Sequence, residues 1–130
     1  MAKFAHADVL DQGPNLIKTT CNKMALISAY TFGDSYATVA AAILAEATMA
    51  SGDFTFGSSG NNRTLTTAAG KSDTAANASG GSASNHIAFV DTALSKVLWV
   101  TEETSGQAVT LGNPVNFPSL VYTAVQPVAA

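Results

Sequence analysis

A chain of 130 residues, 47% of them hydrophobic, is long enough for a single domain with its own core. Only 12% of the residues are charged, about half the usual share, and the formal net charge is −3. The six Lys and Arg are scattered and make no phosphate-tracking stripe, and no apolar run is long enough to span a bilayer, so neither direct nucleic-acid binding nor a membrane partner is expected. With so few charges, the surface must be covered by Thr, Ser, Asn, Gly and Ala. Such a surface loses little solvation on contact and suits a protein packed against neighbours.

Residues 1–22 read as an N-terminal arm and a short helix, because Val9, Leu10, Gly13, Leu16, Ile17 and Cys21 fall near helical spacing. Pro14 lacks a backbone N–H and allows two solutions. One is a helix of roughly two turns with Asp11 near its cap and Pro14 in the first turn; the other is a kinked helix from about Asp8. In either, Leu16 and Ile17 should pack on the rest of the domain. Cys21 reads as a small buried hydrophobe, and a lone thiol forms no intramolecular disulfide. No secretory signal is read in "MAKFAHADVL", where Asp8 interrupts the apolar residues.

Residues 23–125 read as the β core. "KMALISAY" is apolar enough for a buried strand, and Gly33-Asp34 is a turn signal. The stretch Ala40 to Ala50 is compatible with helix or strand, and alternation from Ile43 to Met49 favours strand. "DFTFGSSGNNRTLTTAA" reads as a hairpin with Phe54 and Phe56 on one face, Leu65 on the return limb and a loop from Gly57 to Asn62. Gly70 to Asn85 holds almost no large apolar residue. It reads as a mobile or contact-making loop with at most one weak strand.

"HIAFVD" and "KVLWVTEE", joined by the turn "TALS", form the strongest hairpin. Ile87, Phe89 and Asp91 should share one face and His86, Ala88 and Val90 the other; Val97, Trp99 and Thr101 should likewise oppose Lys96, Leu98 and Val100. Both faces carry apolar residues, so this hairpin should be covered on both sides. Two further short strands follow around Gly112, Pro114 and Pro118, and residues 126–130 form a tail. Short strands with a turn every ten residues or so predict a mainly β fold: a compact antiparallel sandwich or barrel-like domain with a short N-terminal helix.

Chemistry is hard to place on these residues. A general base needs a partner within hydrogen-bond reach, and Asp91 should lie on the face opposite His86. Glu102 and Glu103 are consecutive and point apart in a strand. Two His, one Cys and dispersed acids give no metal-ligand spacing, and "GSSGNNR" lacks the Lys-Ser/Thr ending of a phosphate loop. Trp99 and Tyr122 could line a sugar-binding groove, but strand aromatics usually belong to the core. No catalytic residue, cofactor or metal is therefore expected.

The order of segments "DVLDQGPNLIKTTCNKMALISAY", "ILAEATMASGDFTFGSSGNNRTLTTAA", "ASNHIAFVDTALSKVLWVTEE" and "QAVTLGNPVNFPSLVY" resembles small virion-associated structural proteins of tailed bacteriophages, over nearly the whole chain. The resemblance implies a non-enzymatic protein made in the host bacterial cytoplasm and located in the virion, with the head surface favoured. There it would act as a decoration (cement) protein bridging major capsid subunits and associating with itself as a dimer or trimer. The absence of a shaft repeat or coiled coil favours the head over a tail, fibre or receptor-binding component. A small enzyme or host-modulating protein is the remaining alternative. Partner contacts are expected on the arm (Lys3, Phe4, His6), on the long loop (Lys71, Asp73, Asn77, Asn85) and at Gln126.

Overall fold

The computed structural model describes residues 3–76, 85–102 and 109–127. Helix α1 spans Ala7–Thr20 and helix α2 spans Tyr36–Ala41. The strands are β1 (Lys23–Ile27), β2 (Ile43–Thr48), β3 (Phe54–Ser59), β4 (Asn62–Thr67), β5 (Lys71–Thr74), β6 (His86–Asp91), β7 (Lys96–Glu102), β8 (Pro114–Phe117) and β9 (Val121–Ala124). They form three antiparallel sheets, in the orders β2-β1-β6-β7, β3-β4-β9 and β5-β8. The fold is thus mainly β with an N-terminal helix, as the sequence led us to expect.

Helix α1 is twice the expected two turns. It begins where His6 accepts a hydrogen bond from the Asp8 N–H through Nδ1 (3.0 Å), and Pro14 lies inside it. Of the two solutions, the longer helix from near Asp8 is the one adopted. Its inward stripe is Pro14 and Ile17, continuing to the buried Cys21. Leu16, expected inward, is 51% exposed, because it falls on the outer side of that stripe. Lys18 in the last turn donates through Nζ to the carbonyls of Phe54 (2.7 Å) and Ser51 (2.8 Å), fastening the helix to the start of β3.

The ambiguous alanine-rich stretch contains the end of one element and the start of another. Helix α2 ends at Ala41 and β2 starts at Ile43, so the expected strand is present and the helix before it was not foreseen. Ser35 caps α2 by accepting from the Thr38 N–H (3.2 Å). Val39 anchors the helix on one face of the four-stranded sheet, over Ala25, Ile27, Ala88 and Val90. The opposite face of the same sheet packs Met24, Leu26, Ile87 and Phe89 into the main core with Phe54, Leu65 and Phe117 from the other two sheets.

Each outer strand of the four-stranded sheet carries an extra residue. Leu26 pairs with Ala45 and Ile27 with Ile43, leaving Leu44 as a bulge; Phe89 pairs with Trp99 and Val90 with Val97, leaving Leu98 as another. The second bulge corrects the expected alternation. Val97 joins the face under α2, whereas Trp99 stays with Phe89 on the main core. Both extra leucines are turned to the core, where strict alternation would have placed only one residue of each pair.

The β3–β4 hairpin is tighter than expected. The strands run through Ser59 and Asn62, leaving Gly60-Asn61 as a two-residue turn with Gly60 at φ +61°. The turn "TALS" connects β6 and β7 as expected, and the buried Asp91 accepts from the N–H groups of Ala93 (3.0 Å) and Leu94 (3.3 Å). The main core is threaded by aromatic rings. Phe54 meets Phe89 edge-on at 6.3 Å, Phe89 stacks on Trp99 at 4.5 Å and 11°, and Trp99 meets Tyr122 edge-on at 5.4 Å.

Candidate functional site

The structure brings together four of the residues singled out for partner contact. The N-terminal arm, the β3–β4 turn and the segment after β9 converge on one corner. There the side-chain amide of Gln126 bonds both backbone groups of Ala5: Oε1 accepts from the N–H (2.9 Å) and Nε2 donates to the carbonyl (2.8 Å). The same Nε2 donates to the Asn61 carbonyl (3.1 Å), and the Gln126 N–H donates to Asn62 Oδ1 (2.9 Å). One side chain thus ties both ends of the described chain to the hairpin tip.

Arg63 fixes α1 over this corner. Its Nε and Nη2 donate to the two carboxylate oxygens of Asp11, at 2.9 and 3.3 Å. This two-pronged geometry raises the Arg63 pKa and keeps the guanidinium charged throughout the working pH range. The elements enclose an open cleft of about 660 Å³ lined by Lys3, Phe4, His6, Ser58, Asn61 and Arg63. Phe4 is 77% exposed. The cleft offers backbone and amide hydrogen-bonding groups, one cationic arm residue and one exposed ring. That combination suits a polar, extended protein segment better than a small apolar ligand.

Of the remaining expected contact residues, Lys71, Asp73 and Asn85 lie away from this corner. Lys71 donates to Asp53 Oδ2 (2.9 Å) and to the Thr48 carbonyl (3.1 Å). Asp73 Oδ2 accepts from the Glu46 N–H (3.0 Å). Together they hold β5 along the edge of β2. Asn85 is 3% exposed, so its side chain is not presented at the surface. Asn77 lies outside the described residues. Asp53, passed over in the sequence, links β5 through Lys71 to the turn that follows β2. The Ala50 N–H (2.8 Å) and then the Lys71 ammonium hold its carboxyl below the usual range.

His86 opens β6, paired across the ladders with Ile27 and Glu102, and its ring lies 6.0 Å from that of Tyr30. Asp91 is at the far end of the same strand, engaged in the turn. Trp99 is half-buried and stacks on Phe89 against the main core. The Cys21 thiol is buried, donates to the Lys23 carbonyl (3.4 Å) and is pushed up to about 11 by desolvation, which leaves it protonated. Among the described residues, no group of three or more His, Cys, Asp or Glu is placed to hold a metal ion, and no helix is long and apolar enough to cross a membrane.

One exposed aromatic was missed. Phe32, in the turn after β1, is 98% exposed. The "TFGD" turn signal was the clue that could have found it, because a large apolar residue beside a turn glycine has no strand face to enter.

No protein-family model, curated protein or solved structure matches this chain.

Proposed function

We propose that the chain is a non-enzymatic structural protein of a phage virion, a head decoration protein that bridges and stabilises major capsid subunits. The observation that carries this reading is the arm–tail corner. Phe4 and Lys3 stand out from an element that the Gln126 amide, the hairpin tip and the Arg63–Asp11 pair hold in one position. A contact element fixed before binding loses little conformational freedom on docking. The weakly charged chain supports the same reading, since many copies can lie close together on a lattice with little mutual repulsion. Repeated modest contacts then add up through multivalency.

Quantitative mass spectrometry of purified virions tests the proposal, with the readout being copies of this chain per copy of the major capsid protein. Decoration requires hundreds of copies per particle. A few dozen or fewer would refute it in favour of a neck, tail or fibre position, and absence from washed particles would remove both. A Phe4→Ser, Lys3→Ser double variant should bind particles lacking the chain at least about tenfold more weakly while keeping the wild-type fold.

A further inference from the structure

Residues 3–5 and 125–127 are held to the fold by polar contacts rather than by burial. Lys3, Phe4, Val125 and Pro127 are exposed, and only Ala5 and Gln126 are half-buried. Lifting either end away from the fold therefore uncovers little apolar area. What joins the two ends is one side chain. Gln126 Oε1 accepts from the Ala5 N–H (2.9 Å) while Nε2 donates to the Ala5 carbonyl (2.8 Å). Among the described residues these are the only hydrogen bonds between the arm and the tail. The pairing is the two-bond exchange that opposite residues make in an antiparallel ladder, with a side-chain amide in place of one peptide group. The tail has its own footing on the hairpin tip, from Nε2 to the Asn61 carbonyl (3.1 Å) and from the Gln126 N–H to Asn62 Oδ1 (2.9 Å).

Both flanking elements are complete without this contact. The His6 carbonyl accepts from the N–H groups of Val9 (2.9 Å) and Leu10 (3.2 Å), and His6 Nδ1 accepts from that of Asp8, so α1 is closed by His6 and not by the arm. On the other side the β4–β9 ladder stops at Ala124, opposite Arg63, and Arg63 is fixed to α1 through Asp11. The two ends can thus separate while helix and sheet stay formed. Their bonds are not independent of one another. Nε2 donates to the Ala5 and Asn61 carbonyls together, so rotating the amide away from one turns it away from the other. The Gln126 N–H bond to Asn62 sets where that side chain begins, and it joins the same unit.

From this geometry we infer that residues 3–5 and 125–127 form a clasp that opens and closes as one unit, with the Gln126 amide as its latch. Closing fixes both ends, and opening frees both. A ligand that holds either end therefore orders the other, even when it touches only one of them. Phe4 and Val125 each directly precede a clasped residue, so contact at one exposed side chain is felt at the other. The clasp is a property of the isolated chain and stands or falls independently of the virion reading.

Amide hydrogen exchange of the isotope-labelled full chain, read residue by residue by nuclear magnetic resonance, tests the inference. The Ala5 and Gln126 N–H groups are bonded to different acceptors, yet a single opening step should give them the same protection within about threefold, at about 10- to 100-fold over the free chain. Gln126→Ala keeps the backbone N–H at position 126 and its acceptor on Asn62, but should reduce protection at both positions to about threefold or less. Ala5→Pro removes one donor in the arm and should lower protection at position 126, in the tail, by at least about fivefold. Neither substitution touches the core, so the amides of β4 and β9 should exchange as in wild type. An N–H at position 126 that keeps its wild-type protection in either variant would overturn the inference, because the tail would then be held by Asn62 alone. So would wild-type protection that differs between Ala5 and Gln126 by more than about tenfold, or an Ala5 N–H with no protection at all.

Discussion

Replacing Phe89 by Ala removes the ring at the centre of the aromatic series Phe54–Phe89–Trp99–Tyr122. The side chain is fully buried, at 0% exposure, and has neighbours from two sheets, so the site cannot collapse by moving a single loop. The void left is on the order of 100 Å³; at about 24 cal/mol per Å³ it adds about 2.4 kcal/mol to a transfer loss of about 2 kcal/mol, for a total near 4 kcal/mol. Domains of this size have about 5–15 kcal/mol in all, so the variant should fold but with a much lower urea midpoint and an unchanged slope. About 1 kcal/mol of the loss should belong to the Phe89–Trp99 stack itself. A double-mutant cycle with Phe89→Leu and Trp99→Leu, followed by far-ultraviolet circular dichroism in urea, isolates that part. A loss below about 1.5 kcal/mol for Phe89→Ala would mean that the ring is not enclosed as described. A coupling energy below about 0.3 kcal/mol would mean that the two rings are not stacked.

Three further outcomes are expected. The Asp53 carboxyl is held below its ordinary value, so its contribution to stability is present above about pH 4 and lost as pH falls through the lower folded pKa; Asp53→Asn should remove part of the acid-induced loss of stability, a few tenths of a kcal/mol for so exposed a group, and identical acid titrations of the two proteins would refute the Ala50 and Lys71 contacts. Gly60→Ala meets no neighbour within 4 Å but must hold φ +61°, so it should lose about 1 kcal/mol by backbone strain alone in thermal melts, and a neutral result would place the turn in another conformation. Cys21 should be unreactive toward a disulfide reagent at pH 8 in the native state and fully reactive in denaturant, whereas rapid native labelling would contradict its burial.

Hairpins were the legible part of this sequence. "HIAFVD" and "KVLWVTEE" state their pairing through β-branched and aromatic residues around a four-residue turn, and "DFTF" with "RTLTT" does so around a glycine-rich stretch whose two-residue turn only the structure located. The bulges at Leu44 and Leu98 were not legible, because an inserted leucine looks the same as a continued apolar run until its partner strand fixes the register. Helix α2 was hidden for a related reason. Six residues are too few for a periodic signal, and Ala favours the helix without marking where it ends. Of the candidate contact residues, Lys3, Phe4, His6 and Gln126 converge because loose ends of a chain tend to meet at a surface. The bonds that Lys71 and Asp73 make within the fold were not legible, because a charged residue in a polar stretch looks solvated until the backbone amide or carboxylate it meets is known. Phe32 was passed over because apolar residues are read first as core, and only a closed turn reveals one facing outward.

The position of β1 between β2 and β6 has a consequence for biosynthesis. One neighbour, β2, follows closely, but the other edge of β1 must wait for β6, since Lys23 pairs with Val90 roughly 65 residues later in the chain. At a translation rate of about 5–20 residues per second, that edge stays unpaired for about 3–13 s on the ribosome. During this interval "MALI", the most apolar strand edge in the amino-terminal half, is open to pairing with any neighbouring nascent chain. Yield of native protein should therefore depend on the speed and crowding of synthesis more steeply than the stability of the finished fold would suggest.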